Sequence, residues 1–121
     1  DFSIIPLVLG EVDTHILAQE LLALRLQHLL VVASSDLSHY SPYPVAVEHD
    51  HATVEHILHG EGDALGGEDA CGFMPIRALL EMAAVLDWRS RLILYRNSGD
   101  TAGDKSAVVG YASIGFQKGG S

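Results

Sequence analysis

Leu29-Leu30-Val31-Val32-Ala33-Ser34 is the stretch that decides the predicted fold, because it is a short, continuous apolar run that leads directly into polar residues. A second run of the same kind, Phe2 to Leu9, precedes it. The residues between the two runs predict a helix and therefore the order strand, helix, strand. The apolar residues that recur there at helical spacing are Ile16, Leu17, Leu21, Leu24 and Leu29. Such a crossover joins parallel strands, and continuous apolar runs are typical of strands that helices cover on both faces. The sequence therefore predicts an α/β fold with helices around a central, mostly parallel or mixed sheet.

Two more helices and two more strands are predicted downstream. Pro44 suits the first turn of a helix that runs to about His59, because the N–H donor that proline lacks is not needed there. Another helix is expected to begin just after Cys71. Arg91 to Arg96 and Ala107 to Phe116 alternate as strands and are expected to pair as a hairpin across a long loop. The apolar stripe of the helix after Cys71 consists of Ile76, Leu79, Leu80, Ala83 and Leu86.

The composition is that of a packed globular chain. Hydrophobic residues make up 48% of the 121 residues and charged residues 19%, which argues against disorder. The apolar runs are far shorter than the ~20 residues that a membrane span needs. We expect one domain over residues 1–116, followed by a tail or linker at 117–121. Because the chain opens at Asp1 without a Met or a basic leader, it is expected to be a fragment.

Charge and cysteine content limit the expected partners and setting. There are 16 acidic against 7 basic side chains, a formal charge of −9. This charge opposes binding to nucleic acid, because neutralising phosphates requires clustered Lys and Arg. The single Cys71 cannot form an internal disulfide, so nothing ties the fold to an oxidising compartment. The expectation is a cytoplasmic protein without membrane or nucleic-acid partners.

Asp36, Ser38 and His39 form the first candidate site, in the loop that leaves the second predicted strand. Ligand sites of α/β sheets gather at that end of a strand. Histidine titrates close to neutral pH, so His39 is a candidate general acid or base and Asp36 a candidate orienter. The alternative is that Asp36 caps the loop backbone and His39 packs among tyrosines. Residue type and spacing alone do not decide between these interpretations.

Cys71 is the second candidate, at or just before a helix N-terminus. The helix dipole there favours a thiolate, which makes the residue a better metal ligand or nucleophile than an ordinary thiol. The competing interpretation is a buried cysteine that acts as a small hydrophobic residue.

A histidine-rich segment and a polar loop are weaker candidates for a site. His51, Glu55 and His59 are four residues apart and could share one helical face, and two histidines at such a spacing can hold zinc. The segment, which also contains His49 and His56, lacks the His-Glu-x-x-His order, so a solvated helix surface is favoured. The loop from Asn97 to Ser106 predicts an exposed turn and not a phosphate loop, because the Gly-Lys-Ser order is absent.

Three stretches together resemble the Memo family in its bacterial form, the class called AmmeMemoRadiSam system protein B. Their order and spacing match that family, and Phe2 to Gly10 resembles the strand that opens the second half of its members. The resemblance therefore covers nearly the whole chain as a C-terminal half. The stretches are Ser34-Ser35-Asp36-Leu37-Ser38-His39-Tyr40, Cys71-Gly72-x-x-Pro75 and Asn97-Ser98-Gly99-Asp100-Thr101-Ala102-Gly103-Asp104-Lys105-Ser106-x-Val108-Val109-Gly110-Tyr111.

The resemblance implies a fold like the class III extradiol (LigB-like) dioxygenases and a metal site shared between two halves. Two histidines of the missing N-terminal half would bind the metal together with Cys71. A thiolate in place of the carboxylate of those dioxygenases shifts the preference toward copper, zinc or iron held differently. His39 matches the acid or base beside the metal and Asp36 its acidic neighbour. Substrate contacts are expected at Ser38, Tyr40 and Tyr111.

The expected function is therefore that of a Memo-like fragment that contributes part of a metal-centred, redox site related to dioxygenases. The alternatives are a non-catalytic binding or scaffold module and an inactive fragment of a larger protein. The expected partner is the missing N-terminal half or a second copy, because an incomplete sheet exposes apolar surface. AMMECR1-like and radical-SAM proteins are further partners implied by the resemblance alone.

Overall fold

The computed structural model describes residues 1–119, which form three α-helices and one three-stranded sheet. Short 3₁₀ turns connect these elements. The helices are α1 (Thr14–Leu22), α2 (Tyr43–Leu58) and α3 (Phe73–Leu86). The strands are β1 (His39–Ser41), β2 (Trp88–Asn97) and β3 (Val108–Lys118).

The helix predictions are confirmed. Pro44 lies in the first turn of α2, and α2 ends at Leu58, one residue before the predicted end. Four of the five residues in the predicted stripe of α3 are buried, as expected for its core-facing side. The helix expected between the first two apolar runs is α1, which begins after Asp13 and ends at Leu22, so Leu24 and Leu29 of its predicted stripe lie beyond it. The carboxylate of Asp13 accepts hydrogen bonds from the first backbone amides of α1 and so caps its N-terminus.

The predicted hairpin is also confirmed, within an antiparallel sheet of order β1-β3-β2. β2 pairs with β3 from Trp88 opposite Lys118 to Asn97 opposite Gly110. The strand β1, which was not predicted, pairs antiparallel with the start of β3. β3 continues two residues past the predicted domain end at 116, and Gly120 and Ser121 of the predicted tail lie outside the described residues.

The prediction of a mostly parallel sheet is wrong. Residues 2–9 and 29–34 have no strand assignment, and within residues 1–119 the backbone of residues 30–34 makes no hydrogen bond to another backbone group. Both runs are open to solvent: Val8 is 98% exposed and Leu30 89%. An apolar, β-branched run indicates a segment suited to a strand, but a strand also needs a neighbouring strand for its ladder of hydrogen bonds. Among the described residues neither run has one.

The core lies between α2, α3 and one face of the β2–β3 hairpin. Leu37 is 4% exposed and inserts into this core from the loop before β1, which fixes the polar residues on either side of it. α1 is held against α3 by polar contacts of Thr14 and His15 with the carboxylate of Glu81, at 3.2 and 2.9 Å. The buried core residues are Leu37, Val54, Ile57, Leu65, Ala70, Ile76 and Leu80.

No helix within residues 1–119 has both the length and the apolar composition to cross a membrane.

Candidate metal centre

The loop that carries Asp36 and His39 is fixed to β3 by backbone hydrogen bonds. The amide of Leu37 donates to the carbonyl of Gly110 at 2.8 Å, and the amide of Gly110 donates to the carbonyl of Ser38 at 3.0 Å. Asp36 and His39 flank this dipeptide directly. Their backbones are therefore held by a buried anchor although their side chains reach solvent.

Cys71 is brought to the same loop from the start of α3. Its amide donates to the carbonyl of Asp36 at 3.3 Å, and its Sγ accepts a hydrogen bond from the amide of Asp36, also at 3.3 Å. The hydroxyl of Ser35 lies 3.7 Å from Sγ and accepts a hydrogen bond from the amide of Gly72 at 2.8 Å. The thiol thus lies beside the amide of Asp36 and the hydroxyl of Ser35, just before the first residue of α3.

Gly72 permits this close approach of the two segments. A Cβ at this position would lie 2.6 Å from the carbonyl oxygen of Ser34 and 2.7 Å from the Cβ of Ser35. Real side chains do not tolerate such distances, so any larger residue would push the start of α3 away from the loop.

The result is a cluster of three potential metal ligands, a carboxylate, an imidazole and a thiol. One ligand atom from each of Asp36, His39 and Cys71 lies within 4.8 Å of the other two, and the Nε2 of His39 is 3.6 Å from the Oδ2 of Asp36. His39 and Cys71 are exposed and Asp36 is half-buried, so the cluster is open to solvent on one side. Among residues 1–119 no other group of three such side chains is gathered in this way.

The cluster has the size and chemistry of a metal site. Ligand atoms bound to one ion at about 2.0–2.3 Å lie roughly 3–4.6 Å from each other, so small rotations would bring these three to one centre. A sulfur, a nitrogen and an oxygen donor together suit copper, zinc or iron better than magnesium or calcium. The predicted roles of Asp36, His39 and Cys71 are untested by this geometry, but their proximity agrees with all of them.

The three predicted substrate contacts lie in different surroundings. Tyr40 is 75% exposed, with its ring 5.8 Å from that of His39. Its backbone has φ 63°, a left-handed conformation that is unusual for a tyrosine. Ser38 is buried, and its hydroxyl has no hydrogen-bond partner among the described residues. Tyr111 is half-exposed on the face of the hairpin that turns away from the core, opposite Arg96.

Sequence reasoning missed Asp50, which lies behind the cluster. This residue is fully buried on α2, and its carboxylate accepts hydrogen bonds from the amide of Ser38 at 2.9 Å and from the hydroxyl of Tyr95 at 2.6 Å. Burial and the hydrogen bond to Asp50 raise the pKa of Tyr95 well above its ordinary range. The sequence contains a signal for this residue, because Asp50 lies at helical spacing from the apolar Ala46, Val54 and Ile57 and is therefore expected on the same buried face of α2.

Three histidines of the histidine-rich segment each contact a different acidic residue. The Nε2 of His49 lies 2.6 Å from a carboxylate oxygen of Asp69, which ties α2 to the loop before Cys71. His56 and His59 each lie 3.7 Å from a glutamate carboxylate, Glu61 and Glu55 respectively. These contacts are pairs, and His51, Glu55 and His59 are not gathered into one ligand set within residues 1–119.

The loop between β2 and β3 is the exposed turn that the sequence predicts. Its first residues form a capping box, in which Asn97 and Asp100 exchange side-chain and backbone hydrogen bonds. The hydroxyl of Tyr43 donates to Asp100 at 2.6 Å, and the ammonium group of Lys105 lies 4.9 Å from the centre of the Tyr43 ring. The hydrogen bond between the two side chains lowers the pKa of Asp100 and raises that of Tyr43.

Comparison with known proteins identifies relatives that are longer than this chain. It is 38% identical over 94 residues to a MEMO1 family protein of Sulfurisphaera tokodaii, covering 73% of this chain and 33% of the relative. It is 37% identical over 127 aligned positions to one of Methanosarcina mazei, covering 94% and 48%, and 33% identical to one of Desulfurococcus amylolyticus, covering 96% and 45%. The chain thus spans about half, or less, of the length of the curated relatives it matches.

The family model described as Memo-like protein matches residues 1–115. No solved structure gives a significant match. Because the match extends over nearly the whole chain, it includes the loop of Asp36 and His39, the Cys71 segment and most of the hairpin. The chain belongs to the Memo-like protein family.

Proposed function

We propose that this chain supplies the Cys71 side of a metal centre in a Memo-like protein with a redox activity related to that of extradiol dioxygenases. The observation that carries the proposal is the approach of Asp36, His39 and Cys71 to within 4.8 Å of one another from two separate segments of the chain. These residues combine a soft donor with two harder ones on an open surface, which suits a metal that also has to bind other ligands.

Each residue has a proposed role. Cys71 is the metal ligand, because its sulfur is exposed and is held against the loop of Asp36 and His39 by the hydrogen bond from the Asp36 amide. His39 holds or delivers a proton beside the metal, since its imidazole is accessible and 3.6 Å from the carboxylate of Asp36. Asp36 orients His39 and is close enough to complete the ligand set when the remaining ligands are absent. A bound metal would supply the electron-transfer and Lewis-acid chemistry.

Tyr40 is the proposed substrate contact at the rim. Its left-handed backbone presents the ring to solvent beside His39, and strain of this kind is often found where a side chain serves a ligand. Ser38 and Tyr111 stay predictions as substrate contacts. The burial of Ser38 means that a substrate would reach its hydroxyl only after the loop moves.

The proposed partner is the rest of a family-length Memo-like protein, which would contribute further metal ligands and cover the open apolar runs. Phe2, Val8 and Leu30 are each at least 88% exposed, a degree of exposure that an associated strand would reduce. Where that partner is missing, self-association through the same runs is expected. AMMECR1-like and radical-SAM proteins remain partners suggested by resemblance, and a cytoplasmic setting stays a prediction.

A second candidate function is a binding module without turnover. It is favoured by the exposed Tyr40 and by the chain's coverage of no more than about half of the matched relatives, which leaves the rest of any catalytic site outside these residues. Such a module would bind its ligand whether or not Cys71 can hold a metal. The redox proposal requires that activity of the family-length protein be lost with the Cys71→Ser substitution.

The experiment that tests the proposal is a titration of the metal-free chain with Cu(II) and Co(II), followed by absorption spectroscopy. We expect one equivalent to bind with a thiolate-to-metal charge-transfer band, and the band to disappear in Cys71→Ser. His39→Gln and Asp36→Asn should weaken binding but retain the band. His51→Gln, an exposed histidine of α2 outside the cluster, is the control and should have no effect. Binding without a thiolate band, or loss of binding in His51→Gln, would contradict the proposal.

A further inference from the structure

The buried carboxylate of Asp50 makes specific hydrogen bonds that packing of the core alone does not explain. Its side chain has no exposed surface and lies on α2, yet its two hydrogen-bond donors come from two other segments of the chain. One donor is the amide of Ser38, in the loop of the candidate metal centre, and the other is the hydroxyl of Tyr95 on β2. A buried carboxylate that bridges three segments in this way fixes their relative positions.

The loop segment that Asp50 holds is very short. Only Leu37 and Ser38 separate Asp36 from His39, and within this pair the Leu37 amide and both backbone polar groups of Ser38 have specific partners. The Ser38 amide is bonded to Asp50, while the Leu37 amide and the Ser38 carbonyl are bonded to Gly110. A displacement of Ser38 would therefore move two of the three clustered side chains at once.

Gly110 completes the arrangement on the other side. A Cβ at this position would collide with the carboxylate of Asp50, so the absence of a side chain allows Asp50 to lie directly against the backbone of β3. The same glycine donates and accepts the two backbone hydrogen bonds to the loop. The buried Asp50 and Gly110, together with the partly buried Tyr95, thus support the loop beneath the exposed cluster.

We infer that Asp50 is a positioning residue of the metal centre: through the amide of Ser38 it sets the separation of Asp36 and His39, and Tyr95 holds the Asp50 carboxylate in the orientation that this requires. The inference rests on the proposed function for the identity of the site, but the anchoring of the loop by Asp50 is a separate claim that needs no metal. Residues behind a metal site that orient its ligands commonly change metal affinity about 10–100-fold when they are substituted.

The first arm of the test measures Co(II) affinity and the thiolate absorption band in the wild-type chain, in Asp50→Asn and in Thr53→Val. Thr53 is the matched control, because it is also buried on α2 and, among residues 1–119, its hydroxyl bonds only to the carbonyl of His49. We expect Asp50→Asn to weaken Co(II) binding by about tenfold or more while the band remains. Thr53→Val should leave the affinity unchanged even where it lowers stability to the same extent.

The second arm uses the metal-free chain and measures hydrogen exchange of the backbone amides by NMR. In Asp50→Asn the amides of Leu37 and Ser38 should exchange faster by a larger factor than the slowest amides of α2, which report global unfolding. In Thr53→Val all these amides should accelerate together. Tyr95→Phe keeps the ring and removes one donor to Asp50, so it should change the Co(II) affinity and the exchange of the Leu37 and Ser38 amides in the same direction by a smaller factor. It replaces Asp50→Asn in both arms if that variant fails to fold.

The two arms separate this inference from the proposed function. If the wild-type chain binds no Co(II), the proposed function fails for this chain and the exchange arm alone decides the role of Asp50. If Asp50→Asn and Tyr95→Phe behave as Thr53→Val does in the exchange arm, the positioning role is overturned whatever the metal arm shows. Metal binding by the wild-type chain that is insensitive to Asp50→Asn would overturn it as well.

Discussion

The amide of Asp36 donates a hydrogen bond to the Sγ of Cys71 at 3.3 Å, which joins two residues that are 35 positions apart in the sequence. The carbonyl of Asp36 accepts a second bond from the amide of Cys71. Both main-chain polar groups of Asp36 are therefore used to fix the position of one thiol. Because Cys71 is exposed, these two hydrogen bonds hold its thiol at the surface beside Asp36.

Replacing Gly72 should separate the two segments that meet at the cluster. In Gly72→Ala the new Cβ would contact the backbone of Ser34 at 2.6 Å, so the start of α3 has to move away from the loop. We expect Co(II) affinity to fall by about tenfold or more, measured by titration. The control is Gly62→Ala, whose Cβ would make an ordinary contact of 3.4 Å with Arg77 and which should retain the affinity. An unchanged Co(II) affinity in Gly72→Ala would show that metal binding does not depend on the close approach of α3 to the loop.

Replacing Gly110 should destabilise the fold. In Gly110→Ala the added methyl group collides with the carboxylate of Asp50 in a fully buried place, and overpacking of this kind costs about 1–3 kcal/mol. Urea denaturation, followed by circular dichroism, measures the change in the free energy of unfolding. Gly10→Ala is the control, because no atom lies within 4 Å of its added Cβ. Equal stability of the two variants would contradict the described packing around Asp50.

The contact of Tyr43 with Asp100 should make the β2–β3 loop sensitive to pH at both extremes. The pKa of Asp100 is lowered from 3.8, so the stabilisation is present above that value and lost as the pH falls through the folded-state pKa. The pKa of Tyr43 is raised from 10.0, so its share is present below that value and lost as the pH rises through the folded-state pKa. NMR titration of the Tyr43 ring checks both limits.

The variant Asp100→Asn provides the comparison for that titration. It removes the carboxylate that accepts the hydrogen bond, so the titration of Tyr43 should move back toward 10.0. A Tyr43 ring that titrates identically in the two proteins would mean that the hydrogen bond is absent in solution.

The exposed apolar runs should cause association of the isolated chain. Leu30 and Val32 are 89% and 74% exposed on one side of an extended segment. In sedimentation velocity experiments we expect concentration-dependent association, reduced by the double substitution Leu30→Ser and Val32→Ser. The control Val85→Ser changes a valine of α3 that is 70% exposed, close to Val32, and should have no effect. A chain that stays monomeric at high concentration would contradict the proposal that these runs bind a partner.

Sequence patterns predicted the local elements well because their causes are local. The turn chemistry at Pro44, the apolar stripe of α3 and the alternation of β2 and β3 each follow from a few neighbouring residues. The prediction of a parallel sheet failed because strand pairing depends on segments that are far apart in the sequence. The runs at 2–9 and 29–34 have the composition of strands, but within residues 1–119 neither has a neighbouring strand to pair with.

The three clustered residues of the candidate site could be selected from the sequence, but the buried residue behind them could not. Asp36, His39 and Cys71 could be chosen by residue type and by their positions at element ends, and the structure brings them together. The role of Asp50 depends on its contacts with Ser38 and Tyr95, which lie 12 and 45 positions away. No local pattern encodes such a contact, although an acidic residue among the mainly apolar residues of a helical stripe indicates a position with a specific role.

The most direct test of the central claim is the metal content of the purified chain and of its Cys71→Ser variant, measured by native mass spectrometry. The account predicts one metal ion per folded wild-type chain, or per assembly in which Cys71 is shared, and loss of that ion in the variant. Absence of metal from the wild-type chain even after incubation with copper, iron or zinc, or equal metal content in both proteins, would contradict the assignment of Cys71 as a ligand.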